Sequence, residues 1–318
     1  MTDTDQRPDR VLVVGDANPD LVLRGDVLPR FGQAEQLLDD ASLVIGGSAA
    51  IVAHGLARLR RPVSLLAAVG DDLFGGHLAD ELAESDVDIR FLLVRKESRT
   101  GITVVLSRPD DRAIFTLPGT IPTLTQDEVT HAVTESGAAH VHIASLFLQP
   151  DLATRLPGVL AGLRAAGVTT SLDTNADPAG RWQGVTELLP HLDVLLPNLS
   201  EVCALGGEDD PHRAAARLAA AGPLVVVKDG AQGGFAVRPD GQSVRAAGHP
   251  VEVVDTTGAG DTFDAAFLDS WLAGTDLQSC LDRAVRAGAF SVAAPGGTAS
   301  QPYHHDLPTR PATHREDQ

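Results

Sequence analysis

The sequence predicts an α/β fold: a doubly wound, mainly parallel sheet with helices on both faces, carrying a small β-sheet lid. Three observations predict it. Strand-like and helix-like runs alternate along most of the chain, which gives βαβ units. Early strand-like runs such as Val11–Gly15 and Val63–Val69 are apolar, as strands covered on both faces are. Two segments, 21–43 and 89–118, break that rhythm with short extended pieces punctuated by Gly, Pro and Asp.

The elements follow in order. Val11–Gly15 is a first buried strand, and Ser48–Arg60 a helix with Ile51, Val52, Leu56 and Leu59 on one side. Val63–Val69 is a second strand, with a helix over Phe74–Glu84 after it. From about residue 138 the strand-like runs are His140–Ser145, Val168–Asp173, Asp193–Leu196 and Leu224–Lys228. The helix-like runs between them are Leu152–Ala166, Gly184–Leu189 and His212–Ala221, and Thr262–Trp271 follows. The segment 89–118 holds three further strands, Phe91–Val94, Ile102–Ser107 and Ala113–Leu117, the last two joined by the turn Arg108-Pro109-Asp110-Asp111. Both β segments leave the sheet after a strand and re-enter it. They therefore make one layer over the strand ends, where open α/β sheets bind ligands, and read as a lid. A dimerisation ribbon is the other reading, and exposed lid strands suit a homodimer. The polar ends, 1–9 and 304–318, read as disordered tails.

Composition narrows the function. The chain of 318 residues is 43% hydrophobic, so it buries a large core, and at 4% aromatic that core is built from Ala, Val and Leu. A net charge of −18 argues against a general nucleic-acid surface, which needs clustered Lys and Arg. An anionic ligand then needs a local site such as a helix N-terminus. No apolar leader or membrane span is apparent, so a soluble, cytoplasmic protein is expected, with neither nucleic acid nor membrane as partner. Cys203 and Cys280 have no zinc-like spacing and read as reduced core or near-core thiols.

The stretch Asp255–Phe263 carries the chemistry. Gly258, Ala259 and Gly260 open an apolar helix, leaving backbone N–H groups free to point at an anion. Asp261 sits at the mouth of that cradle and can accept a proton from a hydroxyl. A carboxylate beside an anion hole is what phosphoryl transfer to an alcohol needs. A tight turn with a capping Asp is the plainer reading of those residues alone.

The full run Asp255–Leu268, DTTGAGDTFDAAFL, resembles the C-terminal signature of the ribokinase-like, or PfkB, family of carbohydrate kinases. The resemblance spans about 10–303 and implies a single kinase domain with a β lid, transferring the γ-phosphoryl of ATP to a sugar or nucleoside hydroxyl with Mg²⁺. Further stretches match in family order. Asn18 and Asp20, in Gly15-Asp16-Ala17-Asn18-Pro19-Asp20, stand where the family binds sugar hydroxyls. Gly46-Gly47-Ser48 resembles its Gly-Gly sugar loop. Gly70–Gly75 matches a loop read here as structural. Asn198 and Glu201 resemble the N-x-x-E motif near the ATP phosphates, which orients Mg²⁺ largely through water; without the resemblance Asn198 reads as a helix N-cap. Lys228, Gly230 and Gly233 resemble the strand-turn-strand lining the nucleotide, with Lys228 toward the phosphates. Asp255 and Thr257 match positions that bind a monovalent cation such as K⁺ in many members, with carbonyls around Ala294–Ser300 completing the set.

The pattern departs from the family at two places. The N-terminal signature reads Gly-Gly-x-x-x-Asn, and here Ile51 stands for the Asn that bonds a substrate hydroxyl. Ser48 stands where ribokinases proper tend to have Lys. Both point away from ribose itself. A nucleoside kinase, whose substrate brings an apolar base, is the neighbouring reading. A non-catalytic nucleotide- or sugar-binding regulator is a third, and the retained Asp261 and glycines count against it. A dinucleotide-binding dehydrogenase lacks its G-x-G-x-x-G turn here. His140 and His142 alternate on a strand and read as structural; His304 and His305 carry no role.

Overall fold

The computed structural model describes residues 10–108 and 112–307. The strands in chain order are β1 (Val11–Val14), β2 (Asn18–Gly25), β3 (Leu38–Gly46), β4 (Val63–Gly70), β5 (Leu92–Arg95), β6 (Ile102–Ser107), β7 (Arg112–Leu117), β8 (His140–Ala144), β9 (Thr169–Asp173), β10 (Val194–Leu195), β11 (Leu224–Lys228), β12 (Gly233–Val237) and β13 (Ser243–Ala247). The helices are α1 (Ser48–Arg58), α2 (Leu73–Glu84), α3 (Gln126–Ser136), α4 (Pro150–Ala165), α5 (Leu199–Gly206), α6 (Pro211–Ala219), α7 (Ala259–Leu272) and α8 (Leu277–Ser291).

Nine strands form one sheet in the order β13-β12-β11-β10-β9-β8-β1-β4-β5. It is parallel from β11 to β5, and β12 and β13 add an antiparallel edge. Alternate strand residues feed opposite faces. Leu12, Val14, Val141 and Ile143 pack with residues of α3 to α6. Val11, Val13, Leu65 and Ala67 pack with α1 and α2, and Val194 and Val226 with α7 and α8. Burial of strands on both faces is what their apolar sequences require.

The lid is a four-stranded sheet, β3-β2-β6-β7. β2 pairs antiparallel with β3 and parallel with β6, and β6 pairs antiparallel with β7. Three residues separate the end of β1 from the start of β2 at Asn18, and β3 runs on to Gly46. The expected lid bounds 21–43 therefore widen at both ends. Asn18, Asp20 and Gly46, the last of them expected in a loop, are strand residues at the lid's root. The expected lid strand at Phe91–Val94 belongs elsewhere: β5 is the edge of the large sheet, parallel to β4. Its local pattern suits either sheet, and only the long-range partner decides.

Two other expectations change. Gly184–Leu189 is not an α-helix but a set of turns ending in a short 3₁₀ turn, Leu189–His191. Gly184 takes φ 88°, outside the helical range. The chain stays ordered past 303: His304–Asp306 form a 3₁₀ turn, and Leu307 is buried against Leu59, Ala266 and Ala287. The remaining expected tails, 1–9 and 308–318, and the turn residues Pro109, Asp110 and Asp111 lie outside the described residues. Among the described residues no helix is long and apolar enough to cross a membrane.

Candidate active site

The site lies where the lid meets the carboxyl ends of the parallel strands. α7 begins at Ala259, three residues earlier than expected, so the glycine-rich run is itself the helix start. Gly258 is the N-cap, with φ 70°. A side chain there would be strained, and a Cβ would stand 2.6 Å from Gly297 Cα. Asp261 then falls in the first helical turn, beside the free N–H groups it was expected to face.

The loop is the wall between two cavities. One, of about 450 Å³, is lined by Lys228, Gly230, Gly233, Ala259, Gly260 and Phe263 among others. The other, of about 220 Å³, is lined by Asn18, Asp20, Ser48, Ile51, Gly258 and Asp261 among others. Consecutive backbone positions of one helix start therefore face both compartments.

The smaller cavity gathers the expected sugar residues. Asn18 Nδ2 donates to Asp20 Oδ1 at 2.9 Å and to Thr103 Oγ1 at 3.1 Å, which fixes the carboxylate. A Cβ on Gly46 would lie 1.9 Å from Asp20 Oδ1, so this glycine makes room for that carboxylate. Burial, then the neighbouring Asp16, pushes Asp20 up to about 7. Gly47, at φ 83°, starts α1, and Asp16 Oδ1 accepts from Ala49 N at 3.1 Å to cap that helix. Ser48 Oγ donates to Asp261 Oδ1 at 2.5 Å. Ile51 is buried in the cavity wall, with its tip where a Cβ on Gly297 would meet it at 2.6 Å.

Burial pushes Asp261 up to about 7, with Asp173 adding to the rise and Ser48 and Lys228 opposing it. A base must be deprotonated to act, so kcat/KM is expected to climb with pH through about 7. Ser48→Ala removes a bond that favours the carboxylate. The acid limb should move to higher pH by about one unit, since one unit is about 1.4 kcal/mol and such a bond contributes at least that. An unmoved limb in the pH–rate profile would mean that another group titrates.

Beneath the loop lies a polar cluster that sequence reasoning missed. Lys228 Nζ is 2.7 Å from Asp173 Oδ2 and 3.0 Å from Asp264 Oδ2. Burial alone would lower the lysine, but Asp173, Asp264 and Glu201 outweigh it and raise it, so it stays charged. Burial would likewise raise Asp173, but Lys228 holds it down. Burial raises Asp264 well above the carboxylate range, and Asp264 hydrogen-bonds to Asp173. Lys228 thus favours the charged form of Asp173, while burial favours the neutral form of Asp264. Lys228 was expected to face phosphates; its ammonium is held under Gly260 by Asp173 and Asp264 while its side chain still lines the larger cavity.

Asn198 and Glu201 form a reciprocal capping box at the start of α5: Asn198 Oδ1 accepts from Glu201 N at 3.0 Å, and Glu201 Oε2 from Asn198 N at 2.8 Å. The plain N-cap reading is thus realised. Glu201 is buried, and burial followed by the charge of Asp173 pushes it up to about 7. Gly230 and Gly233 both line the larger cavity, but Gly233 has a structural reason to lack a side chain: a Cβ would sit 2.2 Å from Ala246 O on the paired strand. Asp255 and Thr257 meet the lid: Arg112 Nη1 donates to Thr257 Oγ1 at 3.0 Å and lies 3.7 Å from Asp255.

Asp72 caps α2 and also accepts from Thr100 N at 2.8 Å, a structural role for the Gly70–Gly75 loop. His140 and His142 are buried against Thr169 and Ser171, and burial lowers both to about 3 and 4. Asp173 ends β9 at the sheet's ligand edge and Asn175, two residues on, lines the smaller cavity, positions that could have flagged them. Arg112, on an exposed edge strand, leaves no such signal.

A helix start with free N–H groups and a buried carboxylate, standing between two cavities under a lid, is an arrangement that phosphoryl transfer to an alcohol can use. Residues 8–303 match the pfkB family carbohydrate kinase profile, and the chain belongs to that family as an ATP-dependent carbohydrate kinase. It is 32% identical to the ATP-dependent ribose-1-phosphate kinase of Halopiger xanaduensis, over 92% of this chain and 94% of that one. It is 29% identical to the fructokinase of Klebsiella pneumoniae, over 94% and 98%. Among solved structures, Arabidopsis thaliana ribokinase complexed with ribose and ATP superposes with TM-score 0.81 at 26% identity, covering 94% of this chain and 97% of that one. A putative ribokinase II from E. coli in complex with ATP and Mg²⁺ shares the fold, with TM-score 0.84 at 24% identity over 94% and 97%.

Proposed function

We propose that this chain transfers the γ-phosphoryl group of ATP to a primary hydroxyl of a neutral sugar or sugar derivative. The observation that carries the reading is the shared wall: Gly260 faces one cavity, and Gly258 and Asp261 the other. ATP fits the larger cavity, whose glycine backbone leaves room beside the helix start. The acceptor fits the smaller one, with Asp20 receiving two of its hydroxyls. Asp261 takes the proton of the attacking hydroxyl, and the Gly258–Gly260 amides hold the developing charge. Mg²⁺, where bound, screens the phosphates. Glu201 would hold it through water, and such hydrated binding needs no all-protein cage. Among the described residues no three acidic, His or Cys side chains converge as one. The lid excludes water and so limits ATP hydrolysis.

Among the described residues the smaller cavity carries Asp16, Asp20 and Asp261 against the single arginine Arg112, so a neutral acceptor suits it better than an anionic one. A nucleoside is the second reading, favoured by the apolar wall of Ile51, Val105, Ile114 and Leu148, which offers a base a surface. An ADP-release screen over ketoses, aldoses, sugar acids, a sugar 1-phosphate and nucleosides decides. Turnover is expected with a neutral sugar. Turnover confined to nucleosides moves the assignment to the second reading, turnover confined to the phosphate removes the neutral-acceptor claim, and none with any acceptor overturns the proposal.

A further inference from the structure

The two arginines that the lid lowers onto the Asp255–Thr257 segment come from different strands, Arg24 from β2 and Arg112 from β7. Arg24 Nη2 is buried 3.8 Å from Asp255 Oδ2 and makes no hydrogen bond among the described residues, while its Nη1 donates to Asp40 Oδ2 at 3.1 Å. Arg112 Nη1 lies 3.7 Å from Asp255 Oδ1 and bonds Thr257 Oγ1. The carboxylate's own acceptor sites are in use. Oδ1 accepts from Thr257 N at 2.9 Å and Thr257 Oγ1 at 2.7 Å, and Oδ2 from Gly296 N at 2.9 Å.

This donor set fits poorly with a monovalent cation. A guanidinium cannot lose its proton, so an added ion would sit beside two permanent positive charges. It would also compete with three hydrogen bonds for two oxygens. The oxygens of Asp255 are already matched by the protein's own donors.

We propose that Arg24 and Arg112 supply from the lid the positive charge that a monovalent cation would place beside Asp255, so that turnover does not require K⁺. The proposal rests on the reading of Gly258–Gly260 as the anion loop. Asp255 and Thr257 run directly into Gly258, and Gly297 packs on Gly258, so fixing this segment fixes the cradle. Because both guanidiniums arrive on lid strands, the cradle is completed only when the lid is down.

The test compares K⁺ with tetramethylammonium chloride at constant ionic strength, reading turnover and thermal melting. For the wild-type chain, kcat should agree within about twofold, and K⁺ should give no melting shift of its own. Stimulation by K⁺ of about tenfold, or a K⁺-specific rise in melting temperature, overturns the proposal. The double variant Arg24→Met with Arg112→Met should lose at least about tenfold in tetramethylammonium and regain turnover with K⁺. A double variant as active as wild type overturns the idea. So does a loss that K⁺ does not repair, which would assign the arginines to the acceptor cavity. If no acceptor is found, the function reading fails, yet the melting comparison still tests the cation claim.

Discussion

Asp261→Asn is expected to lower kcat by about two to four orders of magnitude, the usual contribution of a positioned general base. The amide has the same shape and still accepts the hydrogen bond from Ser48 Oγ. What it loses is the capacity to take a proton. Nucleotide affinity should hold, because the larger cavity is built from other atoms of the loop. Stability should not suffer either, and the sign can be worked out. Burial raises the folded-state pKa of Asp261 to about 7, above its ordinary value of 3.8. The folded protein therefore binds the proton more tightly than the unfolded chain does. Ionising the group costs stability progressively as pH rises from 3.8 through about 7. At pH 8 the Asn variant should melt no lower than wild type. Steady-state kcat, ATP titration calorimetry and melting at that pH check the three claims. A kcat within about tenfold of wild type would remove Asp261 from the role of base.

Lys228→Met should be the most destabilising single change in the site, at about 3–5 kcal/mol, because it strands a buried anion. The lysine side chain is 11% exposed, and its partners Asp173 and Asp264 are 3% and 0% exposed. Asp264 behaves differently from Asp173. Burial favours its neutral form, in which Asn can replace it as a donor to Asp173 and an acceptor from Lys228. Asp264→Asn should then cost less than about 1 kcal/mol, within the range of one neutral hydrogen bond. Urea denaturation midpoints at constant slope compare the two variants. Equal losses would mean that the proton is not on Asp264.

Much of this was legible along the chain. The alternation of apolar strands and amphipathic helices already implied a doubly wound sheet, because strands buried on both faces must be apolar and their covering helices must be one-sided. The glycines before Asp261 marked a helix start with free backbone N–H groups, because bare backbone follows from the residue types alone. Less legible were features that depend on partners distant in sequence. β5 reads locally like a lid strand, yet pairs with β4 of the large sheet. Gly46 reads as a ligand loop, yet it clears space for a carboxylate on the neighbouring strand. Gly184–Leu189 carries helix-like spacing that a left-handed glycine breaks.

The sequence by itself determined the class of fold and the glycine-rich helix start that carries Asp261, for these follow from periodicity and backbone chemistry within single segments. Tertiary structure alone decided the electrostatics. It put Lys228 between Asp173 and Asp264, raised Asp261 by burying it, and brought Arg24 and Arg112 onto Asp255. Charge interactions depend on distance and on exclusion of water, and neither is written in the order of residues.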